Sequence, residues 1–221
     1  MVATRRLLVV LVLALVTVAW SAVTVSGVGH AATASSAAAG SLQADFDNDG
    51  FVDLAVGVPH EAIGTAAAAG AVNVLYGSAA GLASTGSQAF WQGPGGAAGA
   101  LEGDDRFGSA LAAGDFNADG VDDLAVGAPG EDVGTAADAG AVSVLYGSAG
   151  GLTGTGSQQF RQGAGGVGGA AEPDDRFGWA LAAGGFNTNG AADLAVGVPL
   201  EDIGTVDSAG AVNVLYGRRL G

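Results

Sequence analysis

The sequence contains no cysteine and no lysine, and it is poor in histidine and aromatic residues. Its 221 residues include two histidines and seven basic residues, all arginine, and only 6% are aromatic. Without cysteine there is no disulfide framework, so stability must come from packing or from bound metal. Because His30 lies in a predicted export signal, only His60 remains, which argues against a zinc site and against a Ser-His-Asp triad.

The charged residues are mostly acidic. The chain has 22 Asp and Glu against seven Arg, which gives a formal net charge of −15. Removing residues 1–31 takes away Arg5 and Arg6 but no acid, so the remainder carries 22 acids against five arginines, or −17. Such a surface repels nucleic acid and anionic lipid and attracts cations. We therefore expect no nucleic-acid partner. The absence of lysine beside abundant Ala, Gly and Val is typical of a GC-rich bacterial genome.

Residues 1–31 have the features of a secretory signal. Arg5 and Arg6 precede an apolar run that begins at Leu7, and the small residues Gly29 and Ala31 suit a cleavage site. An uncleaved membrane anchor is the alternative, but the unbroken run is shorter than the roughly 20 residues that span a bilayer. The segment also resembles a twin-arginine signal, so the export route stays open. We expect a secreted or cell-surface protein without a membrane span after cleavage.

The rest of the chain is an internal repeat. Three similar Asp/Asn-rich segments begin at residues 45, 115 and 185, which places them 70 residues apart. Repeats at a fixed period of this kind indicate tandem structural units. Four further segments keep the register: 53–59 recurs at 123 and 193, 70–77 at 140 and 210, 87–90 at 157, and 104–108 at 174.

Each unit is predicted to contain four short β-strands. In the second unit these are residues 109–116, 123–128, 141–146 and 157–162, separated by Gly/Ser/Thr clusters, and Pro129 ends the second of them. No window after the signal has a helical period of useful length. Four-stranded sheets repeated in tandem are typical of a β-propeller, in which radial repetition leaves only short edges exposed.

One pair of motifs carries a family resemblance. Phe107-Gly108, followed by Gly127-Ala128-Pro129, resembles the FG-GAP repeat of the integrin α-subunit propeller and of bacterial surface proteins. The third unit keeps Phe177-Gly178 and Gly197-Val198-Pro199, whereas the first keeps Gly57-Val58-Pro59 but has no Phe-Gly before it. The resemblance implies an all-β fold of propeller-type blades, each with four antiparallel strands, and calcium in loops between strands.

The predicted organisation is a signal peptide (1–31) and three blades, at 38–103, 104–173 and an incomplete 174–221. Propellers of this family close with about seven blades, and propellers in general have about 4 to 8. Three units therefore imply a gene fragment, a ring closed by homo-oligomerisation, or an open arc whose exposed edges favour aggregation.

The acidic loops are predicted calcium sites. Calcium takes six to eight oxygen ligands, and alternate residues of a tight loop can direct carboxylates at one centre. An EF-hand is excluded because its twelfth position, normally Glu, is valine in all three units, and no flanking helices are predicted. We prefer calcium to magnesium because the loops are long, flexible and rich in oxygen. The predicted ligands are Asp45, Asp47, Asp49, the Phe51 carbonyl and Asp53 in the first loop, and Asp115, Asn117, Asp119, the Val121 carbonyl and Asp123 in the second.

The third loop is predicted to be a plain turn. It has Gly185, Asn187, Asn189 and Asp193 at the equivalent positions, so one carboxylate remains. For all three loops the alternative is an Asx-rich turn without an ion, since Asp, Asn and Gly dominate turns. In the first two loops, however, crowded carboxylates repel one another unless a cation is present, which favours metal.

Other polar and aromatic groups have weaker functional interpretations. The pairs Glu131-Asp132 and Glu201-Asp202 could serve as acid and base in glycoside hydrolysis, but we interpret them as solvated loop carboxylates. Asp104-Asp105-Arg106 and its repeat at 174 are expected to form ion pairs. Several aromatic residues could stack on a sugar, although packing is the default role. These aromatic residues are Phe90, Trp91, Phe160 and Trp179.

Three functions compete at this point. The first is a secreted or surface calcium-binding module for adhesion or recognition of an unknown protein or glycan, without enzymatic activity. The second is an accessory or remnant of an extracellular hydrolase or phospholipase, since FG-GAP blades accompany such enzymes. The third is a gene remnant or small structural repeat with no partner of its own. Fold alone does not decide among them.

Overall fold

The computed structural model describes residues 41–219, which lie in one compact unit. The predicted signal peptide, residues 1–31, and the predicted start of the first blade at residue 38 lie outside the described residues. Across residues 41–219 the chain forms strands, turns and loops and no helix, so this region offers no helical candidate for a membrane span.

The described residues contain eleven β-strands in three antiparallel sheets. The first sheet consists of β1 (Ser41–Ala44), β2 (Asp53–Val58), β3 (Ala71–Leu75) and β4 (Gln88–Phe90). The second consists of β5 (Ala110–Gly114), β6 (Asp123–Ala128), β7 (Ala141–Tyr146) and β8 (Thr153–Phe160). The third consists of β9 (Ala180–Gly184), β10 (Asp193–Val198) and β11 (Ala211–Leu215).

Each sheet is a meander in which consecutive strands are hydrogen-bonded neighbours. None of the three closes into a barrel, and the third has three strands among the described residues where the first two have four. This architecture confirms the prediction of an all-β fold made of antiparallel, propeller-type sheets. The innermost strands β1, β5 and β9 lie beside one another in turn, as expected for blades arranged around a common axis.

The strands keep the same register in every sheet, which follows from the repeated sequence. Leu54 pairs with Leu75 in the first sheet, and Leu124 with Leu145 in the second. The strands β2, β6 and β10 are short and rich in Val and Leu, and each is followed at once by a proline, which cannot donate a hydrogen bond to continue the ladder. Local chemistry therefore sets both the length and the pairing of these strands.

The hydrophobic core lies between the sheets. In the first core cluster Val72 and Val74 of β3 and Leu124 and Val126 of β6 are almost fully buried. A second cluster joins the next two sheets in the same way, through Val142 on one side and the β10 residues of the third sheet on the other. Burying each such side chain contributes roughly 1.5–3 kcal/mol, so sheet-to-sheet packing supplies most of the stability.

Candidate metal-binding loops

The loop between β1 and β2 brings the first set of predicted ligands together. Asp45 accepts backbone hydrogen bonds from Asp49 (3.1 Å) and Gly50 (3.0 Å) on its two carboxylate oxygens. Asn48 and Gly50 adopt positive φ values of 55° and 87°, which bend the chain around that carboxylate. Asn and Gly are the residues that accept this conformation at the least cost, so the local sequence favours the turn.

Three carboxylates converge in this loop. One oxygen from each of Asp45, Asp47 and Asp49 lies within 4.8 Å of the other two. Burial raises the pKa of Asp47, and the negative charges of Asp53, Asp49 and Asp45 raise it further. The donor set is all oxygen and carries excess negative charge, which fits a hard cation such as Ca²⁺.

Asp53 occupies a different position from the other acids of the loop. It is fully buried, and its two oxygens accept hydrogen bonds from the backbone N–H groups of Phe46 (2.8 Å) and Gly77 (2.7 Å). Burial raises its pKa, although these two hydrogen bonds act against the shift. Asp53 therefore clamps the start of the loop to the end of β3. Its role as a metal ligand, like that of the Phe51 carbonyl, stays a prediction.

The same clamp occurs in the other two sheets. Asp123 accepts from the N–H groups of Phe116 and Gly147, both at 3.0 Å, and burial raises its pKa to about 7. Asp193 accepts from Phe186 (2.7 Å) and Gly217 (3.0 Å). The third loop keeps this clamp although it has lost the other acids. Counted from residues 45, 115 and 185, this aspartate is the ninth residue of its loop, and the ninth position therefore has a structural role in every repeat.

The second loop has the same backbone arrangement as the first, with an amide in place of one carboxylate. Asp115 accepts hydrogen bonds from Asp119 (3.0 Å) and Gly120 (2.8 Å). The Asn117 side-chain amide donates to Asp119 Oδ2 at 2.9 Å, and its oxygen accepts from the Asp119 N–H at 2.8 Å. This loop therefore offers fewer charges to a cation. The carbonyl of Val121, which follows the turn, stays a predicted ligand.

The third loop satisfies its polar groups with amides. The Asn187 side chain donates to Asp193 Oδ1 at 3.0 Å, and the Asn189 side chain donates to the Gly217 carbonyl at 2.7 Å. Position 185 is glycine and contributes no oxygen from a side chain. Amide hydrogen atoms thus occupy positions where the first loop directs carboxylates at one another, which fits the predicted plain turn.

Asp122 makes a contact between two loops that the motif spacing did not predict. Its carboxylate accepts a hydrogen bond from the Asp45 backbone N–H at 3.1 Å, and its own N–H donates to the Asp45 carbonyl at 3.3 Å. Burial raises the pKa of Asp122. The equivalent residues are Val52 and Ala192, so only the second repeat has the carboxylate contact. The backbone hydrogen bond recurs in the third repeat, where the Ala192 N–H donates to the Asp115 carbonyl at 2.8 Å. The signal in the sequence was the doubled acid at residues 122 and 123.

The predicted solvation of Glu131 and Glu201 is wrong. These side chains are only 4% and 7% exposed, and each accepts a 2.6 Å hydrogen bond from a glutamine of the preceding repeat, Gln92 or Gln162. Gln159 also donates to Glu131, at 3.1 Å. Burial raises the pKa of Glu131. The glutamates are covered because the segment that follows the last strand of the preceding repeat packs against the turn after each proline.

Among the described residues, an ion pair forms in the second of the two predicted segments and not in the first. Arg176 and Asp174 form a surface ion pair at 3.4 Å, as expected. Asp105, by contrast, is 1% exposed and accepts a 2.8 Å hydrogen bond from the Glu102 N–H. Burial raises its pKa to about 7, and the nearby charges of Glu131 and Glu102 add to the shift.

Comparison with known proteins gives two related results. A model of the FG-GAP repeat family matches residues 37–75 and 107–145. The chain is also 40% identical over 116 residues to the rat phosphatidylinositol-glycan-specific phospholipase D and 37% identical to the human protein. Those matches cover 52% of this chain but 14% of each relative, so the chain corresponds to a small part of their length.

The two matched segments coincide with the features described above. Each contains an acidic loop and its clamping aspartate, Asp53 or Asp123, and the second begins at Phe107 of the Phe-Gly motif. The resemblance that the motifs indicated is therefore confirmed. The chain therefore contains FG-GAP repeats at residues 37–75 and 107–145.

Proposed function

We propose that this protein is an exported calcium-binding module that recognises a protein or glycan at the cell surface or outside the cell. The observation that carries the calcium part is the convergence of Asp45, Asp47 and Asp49, whose oxygens lie within 4.8 Å of one another. A bound divalent cation relieves the repulsion among these carboxylates and holds the loop in one conformation.

The chain's own residues would hold the ion in a simple way. Asp45 shapes the loop through its two backbone hydrogen bonds, and Asp47 and Asp49 supply further oxygens. Asp53 fixes the base of the loop against β3. The ion supplies charge neutralisation and cross-linking of the loop, while the sheets provide a rigid base. The second loop is the weaker site because it has one carboxylate fewer.

A recognition role, without catalysis by this chain, is the form of the proposal that the polar groups support. The buried Glu131 carboxylate is bound by the amides of Gln92 and Gln159, so it is not free to act as a general acid or base. The FG-GAP repeats also favour a role in recognition or adhesion. The excess of acidic residues favours partners that are neutral or cationic.

A second candidate function follows from the relatives. The matched proteins are named phosphatidylinositol-glycan-specific phospholipase D, and the match spans 14% of their length. This chain could therefore be an accessory module that acts beside a hydrolase supplied elsewhere. Both candidates share the calcium-stabilised repeat and differ in whether a catalytic partner is needed.

The calcium proposal is tested by calorimetric titration of the metal-free protein and by thermal unfolding with Ca²⁺ or EDTA. At a Ca²⁺ concentration about 100 times Kd, binding stabilises by ~2.7 kcal/mol, which raises Tm by roughly 5–10 °C for a domain of this size. The double variant Asp47→Asn/Asp49→Asn should lose most of that increase. As a matched control, Asp207→Asn, which changes an exposed acid outside the three loops, should keep it. An identical melting curve in Ca²⁺ and EDTA contradicts the proposal.

The recognition part needs a separate readout. Purified protein is tested for binding to cell-surface protein and glycan arrays, and for hydrolysis of phospholipid and glycan substrates. Binding without turnover supports a recognition module. Turnover by the chain alone, lost in Glu131→Gln, overturns the non-enzymatic proposal.

A further inference from the structure

The outward face of the third sheet carries an open apolar groove. The groove has a volume of about 380 Å³, and Gly197, Gly210 and Val212 lie along it. Val212 is 68% exposed, whereas Val72 and Val142 at the equivalent positions of the first two sheets are fully buried. In the first two sheets this surface is therefore covered by the neighbouring repeat.

In those two sheets the equivalent surface holds the Phe-Gly motif of the next repeat. A Cβ atom added to Gly57 would lie 2.1 Å from the carbonyl oxygen of Gly108, and one added to Gly127 would lie 2.1 Å from that of Gly178. Such distances leave no room for a side chain. The glycine in the floor of the groove is thus required by the close approach of a second backbone, and Gly197 occupies the same place in the third sheet.

We call the contact between a Phe-Gly motif and the sheet of the preceding repeat a joint, and backbone hydrogen bonds complete each one. The N–H groups of Asp174, Arg176 and Phe177 donate to three consecutive carbonyls, those of residues 137–139, at 2.9, 3.2 and 2.8 Å. Residues 104–107 bind residues 67–69 in the same way. In the third sheet the equivalent carbonyls belong to residues 207–209, and within residues 41–219 they have no backbone N–H partner.

The third sheet thus presents the acceptor half of a contact that the chain forms twice between its own sheets. It presents an apolar face, a row of carbonyl acceptors and a glycine that leaves space for a backbone. We propose that this groove binds a further FG-GAP repeat of another chain, through a segment of the type Asp-Asp-Arg-Phe-Gly. The Phe ring fills the groove, and the N–H groups before it pair with the carbonyls of residues 207–209.

A second copy of this chain does not fit the groove as well. Its own Phe107 and Phe177 are fully buried in its internal joints. The residues of its first repeat that align with the motif are Ala37 and Ala38, which lack the ring. Phenylalanine buries far more apolar area than alanine, so a partner that carries Phe-Gly gains more on docking.

The direct test uses a fluorescein-labelled peptide with the sequence of residues 102–114, which contains the motif and no tryptophan. The protein is used in the form that remains after export, and the fluorescence anisotropy of the peptide is measured with and without Ca²⁺. We expect saturable binding, and a loss of at least about tenfold in affinity when the peptide's Phe is replaced by Ala. Trp179 borders the groove and is 50% exposed, so its emission should shift on binding.

The Gly197→Ala variant separates binding from folding. Its new Cβ would lie 3.3 Å from the Ala180 Cβ and 3.5 Å from the Ala180 carbonyl, which small shifts accommodate. A docked motif, by contrast, would meet the same obstruction that Gly127 avoids. We expect Gly197→Ala to keep the wild-type melting temperature and to lose peptide binding by at least about tenfold.

The matched control is Gly185→Ala, directly after β9 of the same sheet, where an added Cβ meets no heavy atom within 4 Å. It should change neither stability nor binding. Absence of peptide binding to the wild-type protein, or equal binding by Gly197→Ala, overturns the proposal. Self-association that is lost in Gly197→Ala assigns the groove to a second copy and overturns it as well. Peptide binding that persists in EDTA distinguishes docking at this groove from calcium binding in the loops, so the two proposals can be tested separately.

Discussion

Asp122 and Asp45, 77 residues apart in sequence, form a two-point contact between the first two acidic loops. The Asp122 carboxylate accepts from the Asp45 N–H at 3.1 Å, and the Asp122 N–H donates to the Asp45 carbonyl at 3.3 Å. Asp45 also shapes the first loop through its own carboxylate. The conformation of the first loop is therefore tied to the joint between two sheets.

Replacement of Asp122 by alanine should destabilise the protein. The Asp45 N–H loses its acceptor in a half-buried site, which costs about 1–2 kcal/mol and lowers Tm by roughly 2–8 °C. Thermal unfolding followed by circular dichroism measures the change. Asp122→Asn, which keeps an acceptor oxygen, is the matched control and should lose less. Equal melting temperatures for the wild type and Asp122→Ala would show that the contact contributes nothing to stability.

Alanine substitution of the clamping aspartates should be more damaging, with or without calcium. Asp123→Ala leaves two backbone N–H groups without acceptors and Asp193→Ala leaves three, at about 1–3 kcal/mol for each group. Urea unfolding in EDTA measures the loss. Asp207→Ala is the control, because the equivalent residues 67 and 137 are already alanine. If Asp193→Ala were as stable as the wild type, the structural role of the ninth position would be refuted.

The third loop should gain a calcium site when the acids of the first loop are transferred to it. The triple variant Gly185→Asp/Asn187→Asp/Asn189→Asp recreates the carboxylate pattern on the existing Asp193 clamp. Calorimetry should then give one more calcium per chain than the parent protein. The single variant Gly185→Ala controls for the loss of glycine and should leave the stoichiometry unchanged. An unaltered stoichiometry in the triple variant would mean that the carboxylate pattern alone does not make the site.

Stability should fall as the pH rises toward neutrality, in part because of Asp105. Its pKa is raised from 3.8 to about 7 by burial, with the charges of Glu131, Glu102 and Asp132 adding to the shift. The folded state therefore binds a proton that the unfolded state has lost. The resulting contribution to the free energy of unfolding is fully present below pH 3.8 and is lost as the pH rises through 7.

Asp105→Asn should remove that part of the pH dependence. Its Tm should exceed the wild-type value at pH 8 and approach it at pH 4, with the measurements made in EDTA to exclude metal effects. Asn keeps an oxygen to accept the hydrogen bond from Glu102 N–H. Asp207→Asn, which changes an exposed acid, should follow the wild-type curve. The explanation fails if the difference between Asp105→Asn and the wild type is the same at both pH values.

The repeat allowed most of the fold to be predicted from the sequence. Residues 123–128 and 141–146 were expected as strands and form β6 and β7 with those bounds, because Val-rich runs are followed by proline or flanked by glycine. The last strand of the second unit was placed at 157–162, whereas β8 covers Thr153–Phe160. The Gly/Thr segment that begins β8 has no hydrophobic pattern, so only pairing with β7 reveals it.

The site was harder to predict because its remaining features depend on contacts across joints. Alternate spacing was enough to place Asp45, Asp47 and Asp49 together, since they share one tight loop. The burial of Glu131 depends on Gln92 in the preceding repeat, and the contact of Asp122 depends on a loop 77 residues away. Neither local propensity nor motif spacing contains that information.

The glutamine–glutamate hydrogen bonds have a consequence for how such a protein changes in length during evolution. Gln92 and Glu131, like Gln162 and Glu201, are 39 residues apart, which is shorter than the 70-residue repeat. A duplicated repeat therefore carries both partners. Its glutamate binds the glutamine of the repeat before it, and its glutamine binds the glutamate of the repeat after it. Unequal recombination can add or delete repeats while every junction stays chemically matched, whereas an insertion inside the 39-residue interval separates the two partners.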